Sequence, residues 1–375
     1  MLIQTRHMRI GILGTRGIPN QYGGFEQFAE YFAVHAAHKG HEVFVYNSHN
    51  HTYQENTFNK VNLIHCYDPE KKIGTPGQFI YDLNCILDAR KRNFDIILQL
   101  GYTSSSVWFG LHPKKPLVVT NMDGLEWKRS KFSKSVQRFL SYAEKRAVQK
   151  SDYLISDSIG IQKYISDKYN AESQYIAYGA HNFDSPDVSI LQKYEVDKNQ
   201  YNMILARFEP ENNIEMVLDG TVLSANKTPV LVIGNHNTKY GSYLKNKFAN
   251  QPHIRFIGAV YNLNDLNNLR YFSNIYFHGH TVGGTNPSLL EAMASQALIA
   301  AHDNEFNKGV LNENAFYFNS PNEVEKIINT IKKNDNLQLV QNNFEAIASD
   351  FNWEKINEQY LQFFKFCLEK HPNRK

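Results

Sequence analysis

Cysteine is scarce in this chain. Its 375 residues include three, Cys66, Cys85 and Cys367, far apart. That spacing forms neither a disulfide framework nor a zinc pattern and suits a reducing compartment. Long hydrophobic runs are missing as well. The longest aliphatic stretches, such as Val230–Ile233 and Asp95–Leu100, have the length of a strand. A bilayer span would need roughly 20 apolar residues. The opening Met1–His7 is polar and lacks the apolar core of a secretory signal. The protein is therefore expected in the cytoplasm, with a peripheral place on the inner membrane face left open. The net charge of +3 is too small for a dedicated nucleic-acid binder, so no nucleic-acid partner is expected. Glycine (21) and proline (12) are too few for a fibrous or disordered chain. What is present is an ordinary globular composition, 42% apolar and 21% charged, enough for a large core without metal or disulfide support.

Strand-like apolar runs alternate with stretches of helical period. Arg9–Leu13, Glu42–Tyr46, Val61–His65, Asp95–Leu100, Leu117–Asn121, Tyr153–Ser156 and Ser173–Ala177 read as strands. A helix is expected over Phe25–Lys39, with Phe25, Phe28, Phe32 and Ala36 on one face and Gly40 as its stop. Around Gly179–Asn202 the pattern loosens into a polar stretch that resembles a linker. Alternation then restarts with strands at Met203–Ala206, Val230–Ile233, Ile254–Ile257 and Ile275–His278. This pattern predicts an α/β protein with two doubly wound parallel sheets, two lobes facing a cleft. Ligands of such sheets sit at the carboxyl ends of the strands.

Four loops follow predicted strands. The first, Gly14 to Glu26, carries Gly23 and Gly24 where a helix begins. It is either an anion site made of free N–H groups or a tight turn. It is not a dinucleotide fingerprint: Gly11, Gly14 and Gly17 have the wrong spacing, and the second strand ends in Asn47-Ser48 rather than an acid. The second loop places Arg207 just past a strand, to hold a diphosphate or to pair with Glu209 or Glu211. The third, His278–Met293, runs through Gly283, Gly284 and Thr285 to a helix with Asn286 as N-cap and Ser288 in its first turn. Glu291, one turn in, could accept two ribose hydroxyls or be a surface acid. His278 and His280 are expected on opposite faces, and without a third ligand no metal site is expected. The fourth loop offers Asp123 and Glu126 for proton work, although Asp-Gly is also a common turn pair. The stretch Trp127–Lys150 has eight basic residues against one acid, Glu144; Lys128, Arg129, Lys131, Lys134 and Arg138 lead it. Its apolar stripe (Phe132, Val136, Phe139, Leu140, Ala143) fits either an anionic membrane surface or a core-packed helix with a solvated basic face.

Together these loops resemble glycosyltransferase family 4, enzymes of the GT-B fold with two Rossmann-like lobes. The matching segments are Gly23-Gly24-Phe25-Glu26, Arg207-Phe208-Glu209-Pro210-Glu211, Leu289–Met293 and Asn352-Trp353-Glu354-Lys355. More narrowly, Gly-Thr-Arg-Gly-Ile-Pro, Asp-Gly-Leu-Glu-Trp-Lys-Arg, Pro-Glu-Asn-Asn and Gly-Gly-Thr-Asn-Pro-Ser are similar to bacterial rhamnosyltransferases that build capsule and O-antigen. The resemblance implies an acceptor-side lobe over 1–180, a donor-side lobe over 181–350 and a helix over 351–375 crossing back to the first lobe. It implies a retaining, metal-independent transferase without cofactor. Such an enzyme would move L-rhamnose from dTDP-L-rhamnose to a lipid-linked glycan at the membrane surface. Gly23, Gly24, Arg207, Gly283, Gly284, Thr285, Asn286, Ser288 and Glu291 would bind the donor. Arg207 and Asp123 would be catalytic, with Asp123 where the family has a histidine. The basic set from Lys128 to Arg138 would meet acceptor and membrane. Two departures stand out: the family has a lysine at Asn212 and a glutamate at Gly283. Rival readings are a sugar-nucleotide epimerase of the same fold and a non-catalytic nucleotide-sugar binder.

Overall fold

The computed structural model describes residues 7–21, 23–122, 124–129 and 132–372. The chain divides into two compact units. One comprises the chain up to Trp127, Lys134–Tyr178 and the segment from Trp353 onward; the other comprises Lys128–Ser133 and Gly179–Asn352.

The first unit holds β1 (Arg9–Leu13), β2 (Glu42–Ser48), β3 (Thr57–Phe58), β4 (Val61–Cys66), β5 (Ile96–Leu100), β6 (Leu117–Met122), β7 (Tyr153–Ser156) and β8 (Gln174–Tyr175). Their order in the sheet is β3-β4-β2-β1-β5-β6-β7-β8. Only the short β3 runs antiparallel to its neighbour. Strand β1 pairs with β2 on one side (Ile10 opposite Val43) and with β5 on the other (Ile10 opposite Ile96). Helices cover both faces of a parallel sheet, so the central strands are buried throughout. All five residues of β5 are buried.

The helix Gly24–His38 buries Phe28, Ala29, Phe32, Ala33 and Ala36. It ends as expected at Gly40, whose φ of 89° favours glycine. Its apolar face meets the last helix, Trp353–Lys370. The rings of Phe28 and Tyr360 lie 4.6 Å apart, and Phe32 and Phe364 meet edge-on at 5.7 Å. The Asn121 amide donates to the Tyr360 hydroxyl at 2.9 Å, tying this helix to β6.

The second unit holds β9 (Asn202–Leu205), β10 (Val230–Ile233), β11 (Ile254–Gly258), β12 (Ile275–His278), β13 (Ile299–His302) and β14 (Phe316–Phe318), in the order β11-β10-β9-β12-β13-β14. All its pairings are parallel. Both sheets start in the middle, build outward one way, then return to build the other way. The reversal lies between β1 and β5 in the first unit and between β9 and β12 in the second. A crevice opens outside the carboxyl ends at such a switch point.

The polar stretch from Gly179 is not a loose linker. Its backbone is anchored within the second unit: the Ala180 amide donates to Phe351 O at 2.7 Å, and the Asp187 amide to Asn268 Oδ1 at 2.7 Å. Among the described residues, no helix is long and apolar enough to cross a membrane.

Candidate active site

The switch point of the second unit is built from the loops that follow β9 and β12. Their backbones press together: a Cβ on Gly279 would lie 2.1 Å from Asn212 O. The Asn213 amide donates to Gly279 O at 2.8 Å, and both the N–H and the hydroxyl of Thr281 donate to Glu211 O. Asn212, which stands where the resembled family has lysine, is a strut. It is buried, and its amide donates to Arg207 O at 2.8 Å.

Arg207 lies exposed just past β9. The acid two residues before Asn213, Glu211, does not pair with it. Glu211 is buried, neither carboxylate oxygen has a hydrogen bond, and its ion-pair partner is Arg129 with Nη1 at 3.7 Å. Arg129 therefore belongs to this corner of the second unit. The charges of Arg207 and Arg129 both act on His280. Burial first, then those two guanidinium groups, push its pKa down to about 3. His278 is lowered for the same first reason, then by His280 and Arg270. The two rings stack at 4.4 Å with 18° between their planes. The expectation of opposite faces fails because residues two apart on an extended segment share a face. Two neutral imidazoles thus sit beside two cations.

The Gly283–Ser288 loop follows. Gly283 has a φ of 140°, a region that favours glycine, so the missing glutamate goes with a backbone shape that disfavours any side chain. Asn286 caps the helix Pro287–Ala294: its Oδ1 accepts from the Ser288 amide at 2.9 Å, and its carbonyl from the Leu289 amide. Those first-turn amides are consequently occupied. Thr285 is buried. The Ser288 hydroxyl lies 2.8 Å from that of Tyr276.

Glu291 is not a plain surface acid. Its Oε2 lies 2.6 Å from Nη2 of Arg270, which is fully buried. Arg270 also donates to Asn267 Oδ1 at 3.0 Å. Sequence reasoning missed Arg270, since nothing in a helix ending Leu-Arg-Tyr-Phe distinguishes a buried arginine from an exposed one.

In the first unit, the loop after β1 is locked against the neighbouring strands β2 and β5. Gly14 and Gly17 have φ of 87° and 120°. A Cβ on Gly14 would strike Leu100 O, and one on Gly17 the Asn47 side chain. Asn47 brackets Ile18, accepting from its amide at 3.1 Å and donating to its carbonyl at 2.8 Å. This is the physical use of the amide found where a dinucleotide site would carry an acid. Gly23 precedes the helix that starts at Gly24, and Glu26 in the first turn folds back to accept from the Arg16 amide at 2.7 Å.

Asp123 and Lys131 lie outside the described residues. Lys128, Lys134 and Arg138 are exposed. The helix Lys134–Lys150 buries Leu140, Ala143 and Ala147, and Phe139 packs on Phe79, with ring centroids 5.7 Å apart. Of the predicted apolar stripe, Leu140 and Ala143 are buried, Phe132 and Phe139 are half-buried and Val136 is exposed. Its lone acid, Glu144, is a buried hub. It accepts from Tyr164, Tyr169 and Lys168 at 2.6–2.9 Å and from the Trp127 indole at 3.2 Å, so it holds Trp127 in place. Among the described residues, no group of three or more His, Cys, Asp or Glu side chains could hold a metal ion.

Residues 7–181 match a family described as a domain of unknown function (DUF1972), and residues 190–347 match glycosyl transferases group 1. No curated protein matches the chain. Sucrose-phosphate synthase from Thermosynechococcus elongatus is similar in structure at 15% identity, with a TM-score of 0.78 over 97% of this chain and 100% of that one. WaaG, a glycosyltransferase involved in lipopolysaccharide biosynthesis, aligns at 12% identity and a TM-score of 0.72 over 95% and 99%. HepE from Anabaena, in complex with UDP and glucose, aligns at 15% identity and 0.70 over 96% and 100%. At these identities the structural likeness establishes the fold, and the sequence match of residues 190–347 carries the activity: the chain is a glycosyltransferase of the GT-B fold.

Proposed function

We propose that this enzyme transfers L-rhamnose from dTDP-L-rhamnose to a lipid-linked glycan in capsule or O-antigen synthesis, with retention and without a metal. The observation that carries a nucleotide-sugar donor is the corner at the second switch point, where Arg207 and Arg129 both act on a buried neutral His280, three residues before the Gly283–Asn286 loop. Fixed cations and backbone donors of this kind stabilise a departing diphosphate as its charge grows. HepE, solved with UDP-glucose, is a structural neighbour that binds a nucleotide sugar. The choice of rhamnose rests on the four motif segments. Glu291 is assigned to the ribose, with Arg270 holding the carboxylate in place. Gly23 and Gly24 are assigned to the donor, and Asp123 to the acceptor hydroxyl. Lys128, Lys131, Lys134 and Arg138 are assigned to an anionic membrane surface, where the acceptor is presented.

The test is a melting-temperature screen against dTDP, UDP and GDP sugars and NAD, with EDTA present, followed by transfer assays. A ligand at about 100 times its dissociation constant adds roughly 2.7 kcal/mol, a readable shift. A shift with dTDP-L-rhamnose and none with NAD is expected. A shift confined to UDP or GDP sugars refutes rhamnose while keeping a transferase. Replacing Arg207 by Ala should lower kcat about 100-fold; turnover near wild type refutes its role at the leaving group.

A further inference from the structure

Two of the three cysteines meet in the first unit. Cys66 ends β4, and Cys85 lies on the helix Pro76–Ala89. Tyr81, Cys85 and Ala89 recur at helical spacing and are all buried, so they form the face that this helix turns to the sheet. Three hydrogen bonds pin that face to the corner where β4 ends. The amide of Asn84, next to Cys85, donates at 2.8 Å to the carbonyl of Tyr67, next to Cys66. The Tyr81 hydroxyl, one turn before Cys85, donates to Tyr46 O on β2 at 3.0 Å. Asp88, almost a turn after Cys85, accepts from the Tyr46 hydroxyl at 2.9 Å. The chain on either side of one thiol is thus bonded to the chain beside the other. Between them the Cys85 thiol donates to the Cys66 sulfur, and both cysteines are free thiols.

We infer that Cys66 and Cys85 are an oxidation site: a hydroperoxide attacks at Cys66, and Cys85 resolves the product into a disulfide that joins the helix to β4. The two sulfurs have different surroundings, which sets their order. Cys85 is 1% exposed, and burial holds its pKa well above the ordinary thiol value, so it keeps its proton. Cys66 is 8% exposed and is followed by Tyr67, which is half exposed, so a small neutral oxidant meets Cys66 first. The hydrogen bond from Cys85 lowers the Cys66 pKa, and the Arg92 cation adds to that pull against the cost of burial. The thiolate is the nucleophile. It takes one peroxide oxygen: the S–O bond forms, the O–O bond breaks, and the other oxygen leaves as hydroxide. The resulting sulfenic acid condenses with the neighbouring thiol. The Cys85 sulfur loses its proton and displaces the sulfenic hydroxide, so the S–S bond forms, the S–O bond breaks and water leaves. In sum two thiols are oxidised by two electrons, and one hydrogen peroxide is reduced to two waters.

Full-length protein is reduced, freed of reductant, treated with hydrogen peroxide and alkylated with iodoacetamide, and its peptides are mapped by mass spectrometry. Protein unfolded in urea receives the same treatment, which fixes a dose at which every thiol reacts. The folded protein should yield a peptide cross-linked between Cys66 and Cys85, with Cys367 alkylated, and dithiothreitol should reverse the link. Closing the chain between the two positions restricts the unfolded state, so the oxidised form should melt roughly 6–12 °C above the reduced form. In Cys85→Ser the resolving thiol is gone, and Cys66 should go on to the sulfinic acid at the same dose. Should that variant not fold, the wild-type peptide map decides alone. Alkylation of both cysteines in the treated folded protein overturns the assignment. So does a wild-type Cys66 oxidised to sulfinic acid beside a free Cys85, or a disulfide between two chains. A cross-linked form that melts below the reduced one refutes the fit of the two positions.

Discussion

Removing the carboxylate of Glu291 should destabilise the second unit, because Arg270 would keep its charge with no route to solvent. The guanidinium is fully buried, and its ion-pair partner is Glu291 at 2.6 Å. Breaking a buried pair from one side costs about 3–5 kcal/mol. The Glu291 side chain remains 23% exposed, which places the loss near the lower figure. At ~2–4 °C per kcal/mol for a unit of this size, Glu291→Ala should melt roughly 6–12 °C lower. The double variant Arg270→Met with Glu291→Leu removes both charges from the same space. It should recover most of that loss, since apolar replacement of a buried pair is often neutral. Melting followed by circular dichroism gives the stabilities, and calorimetric titration with dTDP gives the affinity of each variant. A single variant within about 1 °C of wild type refutes the energetic argument. The double variant also isolates the ribose assignment: it should be folded and bind dTDP weakly, and wild-type affinity there would refute a role for Glu291 at the nucleotide.

Arg129→Gln should weaken dTDP about tenfold or more, the scale of a charge-assisted hydrogen bond, and leave thymidine binding unchanged; equal losses for both ligands would count against a diphosphate contact. The Asp82 carboxyl titrates near 6 in the folded chain against a reference of 3.8. Its protonated form is the one the fold favours. Wild type should therefore lose stability relative to Asp82→Asn as pH rises from about 4 to 7, by about 3 kcal/mol at most. Parallel urea midpoints for the two proteins across that range would refute a buried titrating carboxyl. Restoring the family's acid with Gly283→Glu should destabilise the second unit by about 1–3 kcal/mol, because the backbone there suits glycine. An unchanged urea midpoint would contradict that.

The fold was largely legible because a parallel sheet covered on both faces needs short apolar runs at every strand. β1 and β7 have the very bounds that their apolar runs predict. β3 and β14, with two and three residues, are too short to show a pattern, and they exist because a neighbouring edge offers unpaired backbone. The pair His278 and His280 was misread through the wrong period. Arg270 and Glu144 were not legible as buried charges: each belongs to a helix whose sequence looks like any amphipathic surface helix. Their partners lie 21 positions away for Glu291 and 17–25 positions away for Trp127, Tyr164, Lys168 and Tyr169.

The sequence by itself determined the alternation of strand and helix, the glycine-bearing loops after the strands and the kind of enzyme. These follow from side-chain period and from backbone conformations that only certain residues adopt, both properties of neighbours in the chain. The tertiary structure alone decided which charges meet. It put Arg129 against Glu211 and Arg270 against Glu291, and it brought the thiols of Cys66 and Cys85 together. Burial and electrostatic pairing depend on distance through space, and strand order, not sequence separation, sets that distance.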